Sequence, residues 1–262
     1  MSGAPATGYD FGNKRHYRRS VWNFLESRFP HTPLRDRTAF ILDTQEGLET
    51  KFLIERGYNP DNIHVANENP AILAHMTRSI TKQYGVRVNT YGCHAAEAIQ
   101  KAIYKHKVES VNLDLCGPMS GELAHHLEFT RTFLPQNTAI ALTMLRGRER
   151  DLAPIFREMS GKTMPPEVRA FHQRKVLFAN GVSMKDNDIF RFTCAVSALT
   201  GNYEVFQLND YRLAFYRSTA GYQTMMIVLM HLERLVDEDV SQLIDREIEA
   251  ARQEEKHVRR IQ

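Results

Sequence analysis

Long apolar runs are absent from this chain. The longest, Met225–Met230, falls far short of the ~20 residues a helix needs to cross a bilayer. The start, Met1 to Gly8, lacks the apolar centre of a secretory signal. Cysteine is scarce: Cys93, Cys116 and Cys194 have neither the spacing of a metal site nor that of a disulfide framework. These absences predict a reducing compartment, the cytoplasm, with no membrane partner and no bound metal. Neither sign of charge dominates, since the formal net charge is +3 with 25% charged residues. With 42% hydrophobic residues over 262, the chain can bury one large core.

The charge that is present is clustered. Lys14, Arg15, Arg18 and Arg19 surround Tyr17, and a second basic stretch runs from Arg146 through Arg148 towards Lys175. Either cluster can neutralise phosphates or serve as a solvated face.

Between residues 38 and 145, strand and helix signals alternate. Ala39–Asp43, Asn62–Asn67, Val86–Thr90, Ser110–Leu115 and Thr138–Met144 read as buried strands. Gly47–Arg56, Pro70–Tyr84, Ala95–Lys107 and Gly121–Leu134 read as helices, with Gly57 as a C-cap and Pro70 in a first turn. Such alternation predicts an α/β fold, a doubly wound, mostly parallel sheet with helices on both faces. A helix over Ser20–Phe29 precedes it, behind a mobile tail over residues 1–13. Residues 146–185, with Pro165 and Pro166, read as an insertion or lid. After a helix through Phe190–Leu199, two strands, Tyr203–Leu208 and Tyr211–Tyr216, are expected to join at an Asn209-Asp210 turn, with a third over Tyr222–His231. These form an antiparallel closing group whose aromatics belong to the core. Beyond Leu235, Val236, Val240, Leu243, Ile244 and Ile248 share one helical face, suited to packing on the domain or on a second copy of the chain. Three segments result: a basic tail and helix over 1–37, an α/β domain over 38–234, and a charged amphipathic helix over 235–262.

In a doubly wound sheet, ligands sit at the carboxyl ends of strands where the strand order reverses. The first strand runs into Asp43, Gln45, Gly47 and Glu49, the second into Asn67, Glu68 and Asn69, the fourth into Asn112, Asp114, Cys116, Gly117 and Pro118. A glycine allows a tight turn against a ligand, and an acid after the second strand is placed to accept hydrogen bonds from ribose hydroxyls.

These strand ends resemble those of class I S-adenosylmethionine-dependent methyltransferases over roughly residues 38–145, with the strand pair within 203–231 also in place. Within that superfamily the pattern is distantly similar to tRNA guanine-N2 dimethyltransferases, with Asn67-Glu68-Asn69-Pro70 and Asp114 to Pro118 as counterparts of their motifs. The resemblance implies a sheet of the seven-stranded type and S-adenosylmethionine as cofactor. It implies cofactor binding by Asp43, Gln45, Gly47, Asn67, Glu68, Cys93 and His94, with Asp114, Cys116 and Pro118 at the catalytic motif. Nucleic acid, RNA or DNA, is the implied partner, met by Lys14, Arg15, Arg18, Arg19, Arg146 and Arg148. Only Gly47 remains of the usual glycines, which leaves a second reading open: a scaffold without catalysis, its pocket filled by Gln45 or Glu49. Two chemistries fit the catalytic motif. Asp114 can orient a base amine for methyl transfer and take up its proton. Alternatively, Cys116 can attack a pyrimidine, although Leu115 stands where such enzymes carry proline. A small-molecule or protein acceptor is a third reading.

Overall fold

The computed structural model describes residues 11–104, 106–147, 165–217 and 223–235, with side chains from Tyr17 onward. Helix α1 (Phe11–Ser27) comes first, followed by β1 (Ala39–Leu42), α2 (Leu48–Arg56), β2 (Ile63–Ala66), α3 (Pro70–Tyr84), β3 (Asn89–Tyr91), α4 (Ala95–Ile103), β4 (Ser110–Pro118), α5 (Gly121–Thr132) and β5 (Asn137–Leu145). After the basic stretch come α6 (Pro166–Gln173), β6 (Val176–Phe178), α7 (Asp186–Thr200), β7 (Phe206–Arg217) and β8 (Thr224–Arg234). No helix among the described residues is long and apolar enough to cross a membrane.

One sheet collects the strands in the order β3-β2-β1-β4-β5-β8-β7-β6. The first five pair in parallel, β8 runs antiparallel between β5 and β7, and β6 lies parallel to β7 at the edge. The order reverses between β1 and β4, so their carboxyl ends splay apart into a crevice. Alternate residues along each strand face opposite layers. Ile41, Val65, Ala141 and Ile227 meet α1, α2 and α3, whereas Phe40, Leu113, Leu142 and Val228 meet α4, α5 and α7.

Local signals account for most boundaries. Asn69 accepts the Ala71 N–H and caps α3 with Pro70 in its first turn, and Gly85 closes that helix in the left-handed conformation. Gly57 does the same for α2.

Three expectations need correction. Helix α1 begins at Phe11, so the basic cluster is helical. Tyr17, Val21, Trp22 and Leu25 form a buried stripe that carries the helix through the charges. Part of the expected lid belongs to the sheet: β6 adds an eighth strand, and the Phe178 ring stacks on Tyr17 at 4.9 Å. The expected hairpin over 203–216 is one strand. Asn209 and Asp210 form a bulge, and the Asp210 carboxylate accepts from Lys175 Nζ at 3.1 Å and Arg212 at 2.6 Å. The amphipathic segment beyond Leu235 lies outside the described residues.

Candidate functional site

The crevice begins with Asp43, at the end of β1. Its buried carboxylate accepts the Thr50 N–H at 2.8 Å, the Thr50 hydroxyl at 2.7 Å and the Thr44 N–H at 2.8 Å. Those bonds cap the first turn of α2 and hold the β1–α2 turn shut on itself. Burial pushes the Asp43 carboxyl up to about 6, against the pull of its Thr50 and Thr44 donors and with Glu49 adding repulsion. Gly47 sits in this turn at φ 61°, where a Cβ would come within 2.8 Å of Met76 Cγ. Its glycine is therefore required by the left-handed turn and by the close approach of α3. Gln45 is exposed and donates to Glu46, so it does not fill the crevice.

The second strand end supplies an anchor and an open carboxylate. Asn67 Nδ2 donates to the Asp43 carbonyl at 2.9 Å and its Oδ1 accepts the Asn69 N–H at 2.9 Å, tying β1 to the start of α3. Glu68, beside it, has a side chain 72% exposed and lies 3.8 Å from His94 Nε2. Opposite, His94 caps α4 by accepting the Ala96 N–H, and its ring lies 4.3 Å from that of His126 on α5. Cys93 lies at the same rim; burial, with Glu97 close by, pushes its thiol up, so it is neutral near pH 7. Asp43, Asn67, Glu68, Cys93, His94 and Asp114 line one cleft of about 300 Å³. A second cavity of about 310 Å³ shares His94, Ala95 and Leu115 with it and extends between β4 and α5.

Of the expected catalytic residues, Asp114 lies where β4 loses register with β5, and it borders both the cleft and a small polar pocket under α1. Pro118 pairs with Leu145 and lines the second cavity. The Cys116 side chain lies outside the described part of the structure.

Glu49 is the main residue that the sequence reading left without partners. Its carboxylate turns away from the cleft and accepts from Arg18 Nε, from Trp22 Nε1 at 2.5 Å and from Asn112 Nδ2 at 3.0 Å. Helix α1, α2 and β4 thus converge on one anion. Sequence spacing gave no signal, because the partners lie 31, 27 and 63 positions away.

The basic residues divide. Arg19 is exposed, and Lys14 and Arg15 share the N-terminal turns of α1, with side chains outside the described part. Arg18 is engaged by Glu49. Arg146, expected to face a substrate phosphate, instead binds the fully buried Asp188 in fork fashion and donates to the Ser183 carbonyl at 2.7 Å. Arg148 lies outside the described residues.

The strand order, with an antiparallel β8 inserted beside β5, matches the sheet expected from the resemblance to class I S-adenosylmethionine-dependent methyltransferases, here extended by the edge strand β6. No protein-family model and no curated protein matches the chain. Solved structures similar to it include methyltransferases. One is M. jannaschii TYW2 in complex with AdoMet, with 10% identity, 88% of this chain and 80% of that chain covered, and a TM-score of 0.44. Another is the plantazolicin methyltransferase BamL in complex with SAH, with 11% identity, 82% and 83% covered, and a TM-score of 0.46. A third is the magnesium protoporphyrin IX methyltransferase of Synechocystis PCC 6803 with bound SAH, with 10% identity, 86% and 89% covered, and a TM-score of 0.45.

Proposed function

We infer that this protein transfers a methyl group from S-adenosylmethionine to a nucleic acid, at a base amine. One observation carries the reading: an exposed carboxylate, Glu68, and a second carboxylate, Asp114, stand on opposite walls of one cleft at the switch point of the sheet.

The residues present fit an elongated nucleoside with an amino-acid tail. Glu68 is free to accept the two ribose hydroxyls, because the turn around it is already held by Asn67. His94 and the adjoining cavity between β4 and α5 offer a mostly apolar space for the adenine. The β1–α2 turn, fixed by the Asp43 bonds and with Gln45 and Glu49 directed out of the cleft, borders the space for the amino-acid end. When bound, the cofactor supplies an electrophilic methyl group. Asp114 accepts a hydrogen bond from the acceptor amine, turns its lone pair towards the cleft and takes up the released proton. The N-terminal turns of α1 carry Lys14, Arg15 and Arg19 to the carboxyl rim of the sheet, where a nucleic-acid backbone can be met.

The scaffold reading predicts a pocket filled by side chains such as Gln45 or Glu49; the exposed Gln45 and the Glu49 held by Asn112 favour the methyltransferase reading over it. Titration calorimetry with S-adenosylhomocysteine tests the methyltransferase reading. Micromolar binding is expected, weakened about 10–100-fold by Glu68→Ala through loss of charge-assisted hydrogen bonds. A wild-type chain that binds neither S-adenosylhomocysteine nor S-adenosylmethionine ends the proposal.

A further inference from the structure

The polar pocket on the α1 side of Asp114 is small. It encloses about 50 Å³ beneath α1, between Tyr17, Glu49, Asn112, Asp114, Thr143 and Tyr216. A water molecule takes up ~30 Å³ in the liquid, so this space suits one or two waters and no nucleobase. Its roof is the N-terminal half of α1, and the two ends of that helix are held differently.

The C-terminal end is anchored. Arg37, 5% exposed, donates to the carbonyls of Glu26 at 2.8 Å, Thr32 at 2.7 Å and Phe29. Glu26 is paired with Arg56, and Arg28 reaches Asp210 at 3.1 Å. The N-terminal half packs Val21 and Trp22 into the core and, among the described residues, has two polar attachments. One is the Glu49 carboxylate, gripping Arg18 and Trp22. The other is Tyr17, stacked on Phe178 and tilted against Tyr216, with its hydroxyl accepting from Asn180. Arg18 belongs at once to this internal contact and to the basic turns at the rim, where Arg19 is exposed.

We propose that Glu49 latches the N-terminal half of α1 over the acceptor pocket, and that a nucleic-acid phosphate drawing on Arg18 releases it. Arg18 meets Glu49 through Nε, and a phosphate binding the same guanidinium shares its charge and weakens that contact. Binding of the backbone thereby loosens the latch, and the helix pivots about its Arg37 anchor. The pocket then widens to take a base beside Asp114. The inference rests on the methyltransferase reading for the identity of the acceptor but not for its readout. Glu49 is a positioning residue here, since it acts through α1.

The chain contains a single tryptophan, Trp22, which is fully buried and donates to Glu49, so its emission reports the latch alone. The test combines acrylamide quenching of Trp22 with hydrogen exchange of α1. The full chain is measured with and without a short single-stranded RNA oligonucleotide, whose binding is followed by anisotropy. Expected for the wild type is weak quenching, rising severalfold on RNA binding, with exchange over Tyr17–Trp22 faster by about tenfold or more and that of α4 unchanged. Glu49→Ala is expected to reach that state without RNA, and Glu49→Gln to lie between. If RNA binds and leaves Trp22 and α1 unchanged, or does not bind, the proposal is overturned. A Glu49→Ala chain that exchanges faster throughout α2, α4 and the sheet also overturns it, since the carboxylate then merely stabilises the fold. Calorimetry with S-adenosylhomocysteine, run in parallel, reports separately on the methyltransferase reading.

Discussion

Replacing Gly47 with alanine separates two explanations of the one glycine left in the β1–α2 turn. A cofactor-contact glycine would lose affinity and keep its stability. The structure assigns the residue a different burden. At φ 61° a Cβ costs roughly 1 kcal/mol, because the left-handed region crowds any L side chain. The same Cβ meets Met76 Cγ at 2.8 Å and Ile80 Cδ1 at 3.4 Å, and both neighbours are fully buried. Forcing such a core to adjust costs typically 1–3 kcal/mol. Together the loss is about 2–4 kcal/mol, a fall in melting temperature of roughly 4–16 °C at ~2–4 °C per kcal/mol. Urea unfolding followed by Trp22 emission is the assay, read as a lower midpoint at unchanged slope. Met76→Ala in the Gly47→Ala background removes the clash, so the two changes should cost less together than the sum of each alone. A Gly47→Ala chain within ~0.5 kcal/mol of wild type, the range of a neutral surface change, would refute the packing argument.

Other expectations follow from groups described above. The Asp43 carboxyl sits near 6 in the folded chain against 3.8 for an unperturbed group, so the folded state holds the extra proton. Asp43 ionisation therefore opposes folding: its contribution is most favourable below about 4 and is lost as the pH rises through about 6. Asp43→Asn should flatten that limb in a pH series of urea midpoints, and an unchanged limb would assign the titration elsewhere. Asp188→Ala strips the shared carboxylate from Arg146 and Arg191, both nearly buried, and should destabilise by about 3–5 kcal/mol in chemical unfolding. Arg37→Met leaves three carbonyls at the end of α1 without their donor and should cost about 1–3 kcal/mol, visible as earlier exchange of Phe24–Ser27.

The parallel half of the sheet was legible because β1, β2 and β5 are short apolar runs between helical repeats with clear caps, whereas β3, expected at Val86–Thr90, lies at the polar Asn89–Tyr91. Asn69-Pro70 and Gly85 bracket α3 at the residues a local reading expects. Legibility failed where tertiary contacts outweigh local signals. Asn209-Asp210 has turn chemistry, yet Lys175, Arg28 and Arg212 gather on Asp210 and the strand runs through it. The three residues of β6 are too few to show a period, and they follow a basic stretch that reads as loop. At the candidate site, strand ends revealed Asp43, Glu68 and Asp114 as neighbours, since topology alone brings them together. The part played by Glu49 stayed hidden, because its donors come from a helix preceding the sheet and from β4. Arg146 misled for a related reason: a buried partner supplied by α7 converts a candidate phosphate ligand into a structural cation.

Helix α1 also carries an obligation that has nothing to do with catalysis. Among the described residues it is the helix that packs on β5 and β8 on the α2–α3 side of the sheet. Lifting its N-terminal half bares Ile227 and Tyr216, a greasy strip beside the edge strand β6. The open form is thus prone to self-association, and a chain held open for long would be lost to aggregates rather than to misdirected chemistry. Solubility then sets an upper limit on how weak the helix's grip can become.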